Sequence, residues 1–346
     1  MRCLALLSAV LTTCALMASP SLRQARADVT SVAPGASLQA AIDAAQNGDV
    51  LQLAEGEYPG DIDFDGKALT IRGVGRKTVL RGTGTGSVVR FESGEGESSI
   101  LDSVLIRGGR AVQGGGVRIF RADPVIVRCV VMRNRASSQG SGIWVGGGGE
   151  PLLFNNLVIY NRRDGGDPHG IEVVDAAPRI VNNTVCRHDS NGLVLRGNSP
   201  AVVLNNVFAY NGARIGKSLR GRGICDFTSG GVLLRGNLFH RNRVAAILHS
   251  GRDWGRITRL ERDAPDPLVT GNRDGSPGFK RAPPASSRRA RIGQFSLRRK
   301  SRARDAGVEG INCTDADRSR NDIGHTGGPY AGDAIAVPDG NACALP

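Results

Sequence analysis

The chain of 346 residues carries a formal net charge of +13, with 40% hydrophobic and 4% aromatic residues. The positive excess is local, because residues 252–304 contain fifteen Lys and Arg against five Asp and Glu. A surface that stacks nucleic-acid bases needs aromatic side chains among its basic ones, and residues 276–304 offer only Phe279 and Phe295. The composition therefore argues against a nucleic-acid-binding protein.

Residues 1–27 have the pattern of a secretory signal peptide. Arg2 precedes the apolar run 4–18, and Ala25 and Ala27 are small residues of the kind that signal peptidase requires. This predicts a mature chain that begins at Asp28 and is secreted, periplasmic or on the cell surface. The run is shorter than the ~20 residues of a membrane-spanning helix. No later apolar run is long enough either, so we expect no transmembrane segment.

A short amphipathic helix is expected near the start of the mature chain. Leu38, Ala41 and Ile42 recur at helical spacing behind Ser37, a residue type favoured at helix N-caps. Asn47 and Gly48 end the pattern. Such a helix would cover the open end of a repeat structure, and repeats do follow.

Six similar segments recur at intervals of 23 to 31 residues. They span residues 103–108, 129–134, 156–161, 183–188, 206–211 and 237–242. A second series with intervals of 22 to 31 residues pairs a glycine with a following apolar residue. It begins at Gly116, Gly142, Gly170, Gly192 and Gly223. Two series with matching periods indicate a repeat architecture.

Within each repeat, three short apolar segments are separated by Gly, Asn, Asp or Pro, which is typical of strands and tight turns. This predicts an all-β solenoid over residues 28–275, whose coils pair in parallel about 4.8 Å apart. The inward side chains would form apolar ladders. Asn156, Asn183, Asn206 and Asn237 should stack at one corner through their amides, and Cys129 should be buried at the same position.

An irregular C-terminal part is expected after the solenoid. Residues 276–304 are read as a basic linker or loop, whose charge could also hold anionic glycans. Residues 305–346 are read as a tail that packs on the solenoid. Cys313 and Cys343 bracket much of this tail and are the expected disulfide among the five cysteines of the mature chain.

The tail contains closely spaced carboxylates, Asp315, Asp317 and Asp322. Alternating Asp residues in a tight turn present hard oxygens, so this segment is a candidate Ca²⁺ site. The alternative is an acidic turn that is solvated or paired with Arg318 and Arg320. No other cofactor is indicated.

These features resemble the pectate-lyase-like right-handed parallel β-helix superfamily, over about residues 30–275. Asp305-Ala-Gly307 and Asp322-Ile-Gly324 resemble the closing segment of secreted bacterial β-helix proteins. The resemblance implies right-handed coils with a short N-terminal capping helix. It leaves the activity open, because the superfamily includes lyases, hydrolases, epimerases, adhesins and binding proteins.

Strand alternation places the second residue after each glycine of the second series on the outer surface. On three neighbouring coils these residues are Arg118, Trp144 and Glu172. A Trp face can stack on a sugar ring while charged groups contact hydroxyls or carboxylates. We therefore interpret this row as a substrate-binding surface for an acidic polysaccharide or cell-envelope glycan.

Candidate catalytic residues lie beside this row. Asp167 and His169 precede one glycine, and Asp189 and Asn191 precede the next at the same offsets. Two close carboxylates would raise one pKa or hold a cation. His169 is the expected proton carrier, because the unperturbed pKa of histidine lies nearest neutrality, and Asn191 would contact substrate. Asp167-Pro-His169 also resembles the Asp-Pro-His-Asp motif of alginate epimerases, although Gly170 replaces its last Asp. The alternative is a plain turn before a strand.

Two functions therefore remain open at this level. The first is interaction with an acidic polysaccharide, as a lyase or epimerase. The second is a non-catalytic structural or adhesin-like protein. A monomer is expected in both cases.

Overall fold

The computed structural model describes residues 27–166, 169–212, 221–229, 231–281, 283, 295–308, 320 and 322–326. Within these ranges the chain is all-β apart from short helices, and it winds through three sheets in turn, with almost all strands pairing in parallel with those of neighbouring coils. Parallel connections of this kind are right-handed. The predicted right-handed parallel β-helix is confirmed.

Sheet A holds the first strand of each coil. Its strands, in order, are Val29–Val32, Val50–Leu53, Thr70–Arg72, Ile100–Asp102, Val125–Val127, Leu152–Phe154, Arg179–Val181, Val202–Leu204, Leu233–Arg235 and Val269–Thr270. Sheet B holds the second strand of each coil. Its strands are Gly56–Pro59, Thr78–Arg81, Leu105–Arg107, Val130–Met132, Leu157–Ile159, Thr184–Cys186, Val207–Ala209, Leu238–His240 and Arg273–Asp274.

Sheet C closes each coil. Its strands are Ile62–Asp63, Val89–Phe91, Val117–Phe120, Ile143–Gly146, Ile171–Val174, Leu193–Gly197, Ile224–Thr228 and Ile247–His249, followed by the antiparallel strand Arg252–Trp254. Between sheets B and C lies a small sheet that the sequence does not predict, sheet D. It consists of Arg110–Gln113, Arg135–Gln139 and Arg162–Arg163.

The predicted helix is present at Leu38–Ala44, where the Ser37 hydroxyl accepts a hydrogen bond from the Ala40 N–H at 3.2 Å. Its Leu38 and Ile42 side chains are buried. A second helix, Ile257–Asp263, and a 3₁₀ turn, Gly75–Lys77, were not predicted. In the described ranges, no helix combines the length and apolar character needed to span a bilayer.

The inward register agrees with the prediction. The residues that follow the glycines of the second series are fully buried in the main core, namely Val117, Ile143, Ile171, Leu193 and Ile224. The outer face of sheet B is also apolar. Residues of the C-terminal part pack against it, including Phe279, Phe295 and Ile323.

The predicted asparagine ladder at the corner between sheets A and B is confirmed. Asn183 donates from its backbone N–H to Asn206 Oδ1 at 2.7 Å, and Asn206 donates in the same way to Asn237 at 3.0 Å. The preceding corner residue has a left-handed backbone, as at Asn182 with φ 54°. Asn adopts this conformation at low cost. Cys129 begins the ladder, and burial raises its thiol pKa to about 12.

A second ladder at the corner after sheet B was missed. It comprises Asn134, Asn161, Asn211 and Asn242, with His188 in place of one asparagine. The His188 N–H donates to Asn211 Oδ1 at 3.3 Å, and its Nε2 bonds to the Val158 carbonyl at 3.0 Å. A Cβ on Gly170 would lie 2.4 Å from the ring, so that glycine makes room for it.

Replacing His188 with Asn should make the free energy of unfolding less dependent on pH below about 6.5. Burial lowers the His188 pKa from 6.5 to about 4, so the unfolded chain binds one more proton between these values. Wild-type stability should therefore fall as the pH drops from about 6.5 towards 4, by about 3 kcal/mol from this group. Urea unfolding at pH 7.5, 5.5 and 4.5 checks this. Parallel curves for the two proteins would contradict it.

Cys129, Cys186 and Cys225 are all buried. Cys313 and Cys343, the expected disulfide, lie outside the described residues, as do residues 1–26.

Candidate functional site

The outer face of sheet C holds Arg118 and Trp144 side by side on adjacent strands. The Arg118 guanidinium lies 5.3 Å from the centroid of the Trp144 ring and pairs with Glu92. The Trp144 indole N–H donates to Gln139 Oε1 at 3.1 Å. The ring lies over Gly146, where a Cβ would come within 2.4 Å of it.

This packing corrects one expectation. Trp144 is outside the coil, as predicted, but only 5% of it is exposed. Its neighbours cover the ring face that a sugar was expected to contact. Stacking of a sugar on Trp144 would require Arg118 to move first.

Glu172, the next residue of the row, was expected at the surface but is 1% exposed. Its carboxylate accepts from Arg196 Nε at 2.9 Å and from the Gly140 N–H at 3.1 Å. A buried carboxylate needs such partners because desolvation disfavours its charge. Glu172 therefore ties three successive coils together at its position.

His169 and Asn191 lie together, as their equal offsets from successive glycines predicted. The His169 Nδ1 is 3.0 Å from Ser190 Oγ and 3.4 Å from Asn191 Nδ2, and both residues are buried. Asn191 Oδ1 accepts from the N–H groups of Gly221 and Arg222, at 3.0 and 2.9 Å. These bonds hold a turn in place. Asp167 lies outside the described residues, so its stacking on Asp189 stays a prediction.

Sheet D supplies a set of cations that the sequence reasoning overlooked. Arg110, Arg135 and Arg162 pair in register on its three strands, and we call them the arginine column. Their side chains are 63%, 52% and 41% exposed. Asp164 pairs with Arg110 and lies 3.8 Å from Arg135.

Asp189 lies at the end of the arginine column, with its carboxylate 3.9 Å from Arg162 Nε. Burial raises the Asp189 pKa, and the charge of Arg162 opposes the rise. A sequence signal for this arrangement existed. Arg135, Arg162 and Asp189 each follow the first residue of their repeat segment by six positions.

The candidate calcium ligands are only partly described. Asp315 and Asp317 lie outside the described residues. Asp322 is 5% exposed, and its carboxylate accepts from the Asp305 N–H at 2.8 Å. No cluster of three or more His, Cys, Asp or Glu that could hold a metal occurs in the part of the chain that the structure describes.

Comparison with known proteins gives one family match. Residues 83–239 match the family model described as the right handed beta helix region. No protein with a curated description matches the sequence.

Two solved structures are similar to the chain. One is pectate lyase Pel9A, at 15% identity over 87% of this chain and 96% of the other, with a TM-score of 0.45. The second is an alginate lyase from Paenibacillus sp. str. FPU-7, at 18% identity over 61% of this chain and 87% of the other, with a TM-score of 0.35. The match to the right handed beta helix region agrees with the stacked parallel coils of the structure, and both show a right-handed parallel β-helix fold.

Proposed function

We propose that the chain binds an acidic polysaccharide along the arginine column. The observation that carries this proposal is the register of Arg110, Arg135 and Arg162, which repeats one exposed guanidinium on each of three successive coils. Successive strands lie about 4.8 Å apart, so the column presents a line of cations to an extended chain. Guanidinium groups bind carboxylates through two parallel hydrogen bonds.

The local charge supports the same ligand. Arg163 follows Arg162 on the same strand, and the charges of Arg162, Arg163 and Arg135 all act on Asp189. The Asp164 carboxylate lies beside Arg110 and Arg135, which belong to two different coils. A uronate carboxylate on the ligand would contact the arginines in the same way. Export, as expected from residues 1–27, would bring this surface to envelope or extracellular glycans.

Cleavage or epimerisation of the bound chain would need a proton-transfer group, and we assign that role to Asp189. It is the described carboxyl that combines a raised pKa with a place beside the cations. The non-catalytic alternative is favoured by another observation. His169 and Glu172, two of the residues expected in the site, already hold hydrogen bonds within the protein.

Replacing Arg135 with Gln should weaken retention on polygalacturonate about tenfold, because one charge-assisted contact is lost. Affinity electrophoresis in polygalacturonate, alginate and neutral dextran gels measures this. Binding to the acidic polymers should also weaken with added salt, since the cations are exposed.

Arg76→Gln is the matched control, because Arg76 is an exposed arginine in the turn Gly75–Lys77, which lies between sheets A and B and outside sheet D. Equal losses for the two variants would mean that binding follows net charge alone, and the proposed site would be wrong. Absorbance of unsaturated ends, with Asp189→Asn as comparison, decides between lyase activity and simple binding.

A further inference from the structure

The two asparagine ladders end differently at the C-terminal end of the solenoid. In the ladder between sheets A and B, the last asparagine is Asn272. Its N–H and its side-chain Nδ2 donate to Glu261 Oε1, at 2.8 and 3.0 Å. Glu261 belongs to the helix Ile257–Asp263, and its carboxylate takes the place of a following asparagine.

The second ladder ends at Asn242. Its Oδ1 accepts from the N–H and Nδ2 of Asn211, at 3.2 and 3.0 Å. The backbone N–H of each ladder asparagine points towards the next coil, so the Asn242 N–H points to where an acceptor on a following coil would lie. No acceptor bonds this N–H among the residues that the structure describes.

The chain leaves the coil before it can supply that acceptor. Sheet B pairs Phe239 with Asp274, and the Gly275 N–H donates to the Phe239 carbonyl at 3.0 Å. Gly278 and Lys280 then pair with the segment around Arg298 instead. None of the described residues therefore forms a rung opposite Asn242.

A cavity of about 430 Å³ occupies this place. Its walls include Phe239, Asn242, Arg241 and Arg256, together with Asp274. The Asp274 carboxylate is already engaged, because it accepts from the N–H groups of Ile257 and Thr258, both at 3.1 Å, and from the Thr258 hydroxyl. Arg241 and Arg256 have no side-chain partner among the described residues. These two arginines and the open N–H of Asn242 thus line a space the size of a small-ligand pocket.

We propose that this cavity binds a small carboxylate ligand, with one oxygen accepting from the Asn242 N–H and Arg241 and Arg256 balancing its charge. The pairing of Glu261 with Asn272 shows that a carboxylate can end such a ladder. The volume accommodates a monosaccharide, so a uronic acid and a simple aliphatic acid are both sources of the carboxylate. The site is separate from the arginine column.

A ¹H–¹⁵N correlation titration of the full mature chain tests the proposal. Acetate and galacturonate should each shift the Asn242 amide resonance in a saturable manner, and the neutral methyl ester of galacturonate should not. Tighter binding of galacturonate would identify the sugar acid as the preferred source, whereas equal affinities would show that the carboxylate alone is recognised. No saturable shift, or an equal shift with the ester, overturns the proposal.

Variants sharpen the test. Exchange of both Arg241 and Arg256 for Gln should weaken galacturonate binding at least about tenfold. Arg259→Gln is the control, because it removes one positive charge from the helix that follows Arg256, outside the cavity wall. An equal loss in the control would overturn the site. The double variant should keep its retention on polygalacturonate, which separates this result from a failure of the arginine column.

Discussion

Ile171→Asp should destabilise the protein by about 5 kcal/mol or prevent folding. Ile171 is fully buried and stands in register between Ile143 and Leu193. The substitution removes the apolar contacts of a core Ile, which cost about 2–5 kcal/mol to lose. It also places a carboxylate between apolar rungs with no partner, which adds several kcal/mol or forces protonation.

Val174→Asp is the matched control for this change. Val174 lies on the same strand but faces outward and is partly exposed, with Arg196 beside it in register. Its cost should stay within about 1 kcal/mol. Urea unfolding of both variants gives the comparison. Similar losses for the two would show that the inward register is wrong, since a one-residue slip exchanges the faces.

Asn206→Leu should cost about 3–5 kcal/mol, although Leu has nearly the same size. Asn206 Oδ1 accepts from the Asn183 N–H at 2.7 Å, and its Nδ2 donates to the Ile180 carbonyl at 2.8 Å. Leucine leaves both backbone groups buried without a partner. Each such group costs about 1–3 kcal/mol. Hydrogen exchange at the Asn183 amide should accelerate along with the loss of stability.

Asn198→Leu provides the comparison for the same exchange of side chains. Asn198 is exposed, and its side chain has no hydrogen bond within the described residues. We expect a change within about 0.5 kcal/mol. If Asn206→Leu costs no more than Asn198→Leu, the ladder contributes nothing measurable to stability.

The solenoid, its inward register and the first asparagine ladder could all be predicted from the sequence. These features repeat along the chain, and each depends on local rules. Strands alternate inward and outward residues, and a left-handed corner favours Asn or Gly. Ile171 could therefore be assigned to the core from its position directly after Gly170. The second ladder was present in the same segments, but His188 interrupts it, so the repeat of Asn was not recognised as a separate feature.

Which outward residues are open to solvent could be seen only once the chain was folded. Trp144 and Glu172 face outward as predicted, yet Arg118, Gln139 and Arg196 cover them or pair with them. Most of these contacts join different coils. Their formation depends on how side chains of neighbouring strands are oriented towards each other, and the sequence does not specify this. The exposed arginines of sheet D could not be predicted from the sequence for a similar reason. Arg135 and Arg162 share an offset in the repeat and Arg110 lies one position later in its own, but the exposure of all three follows from how the chain turns between sheets B and C.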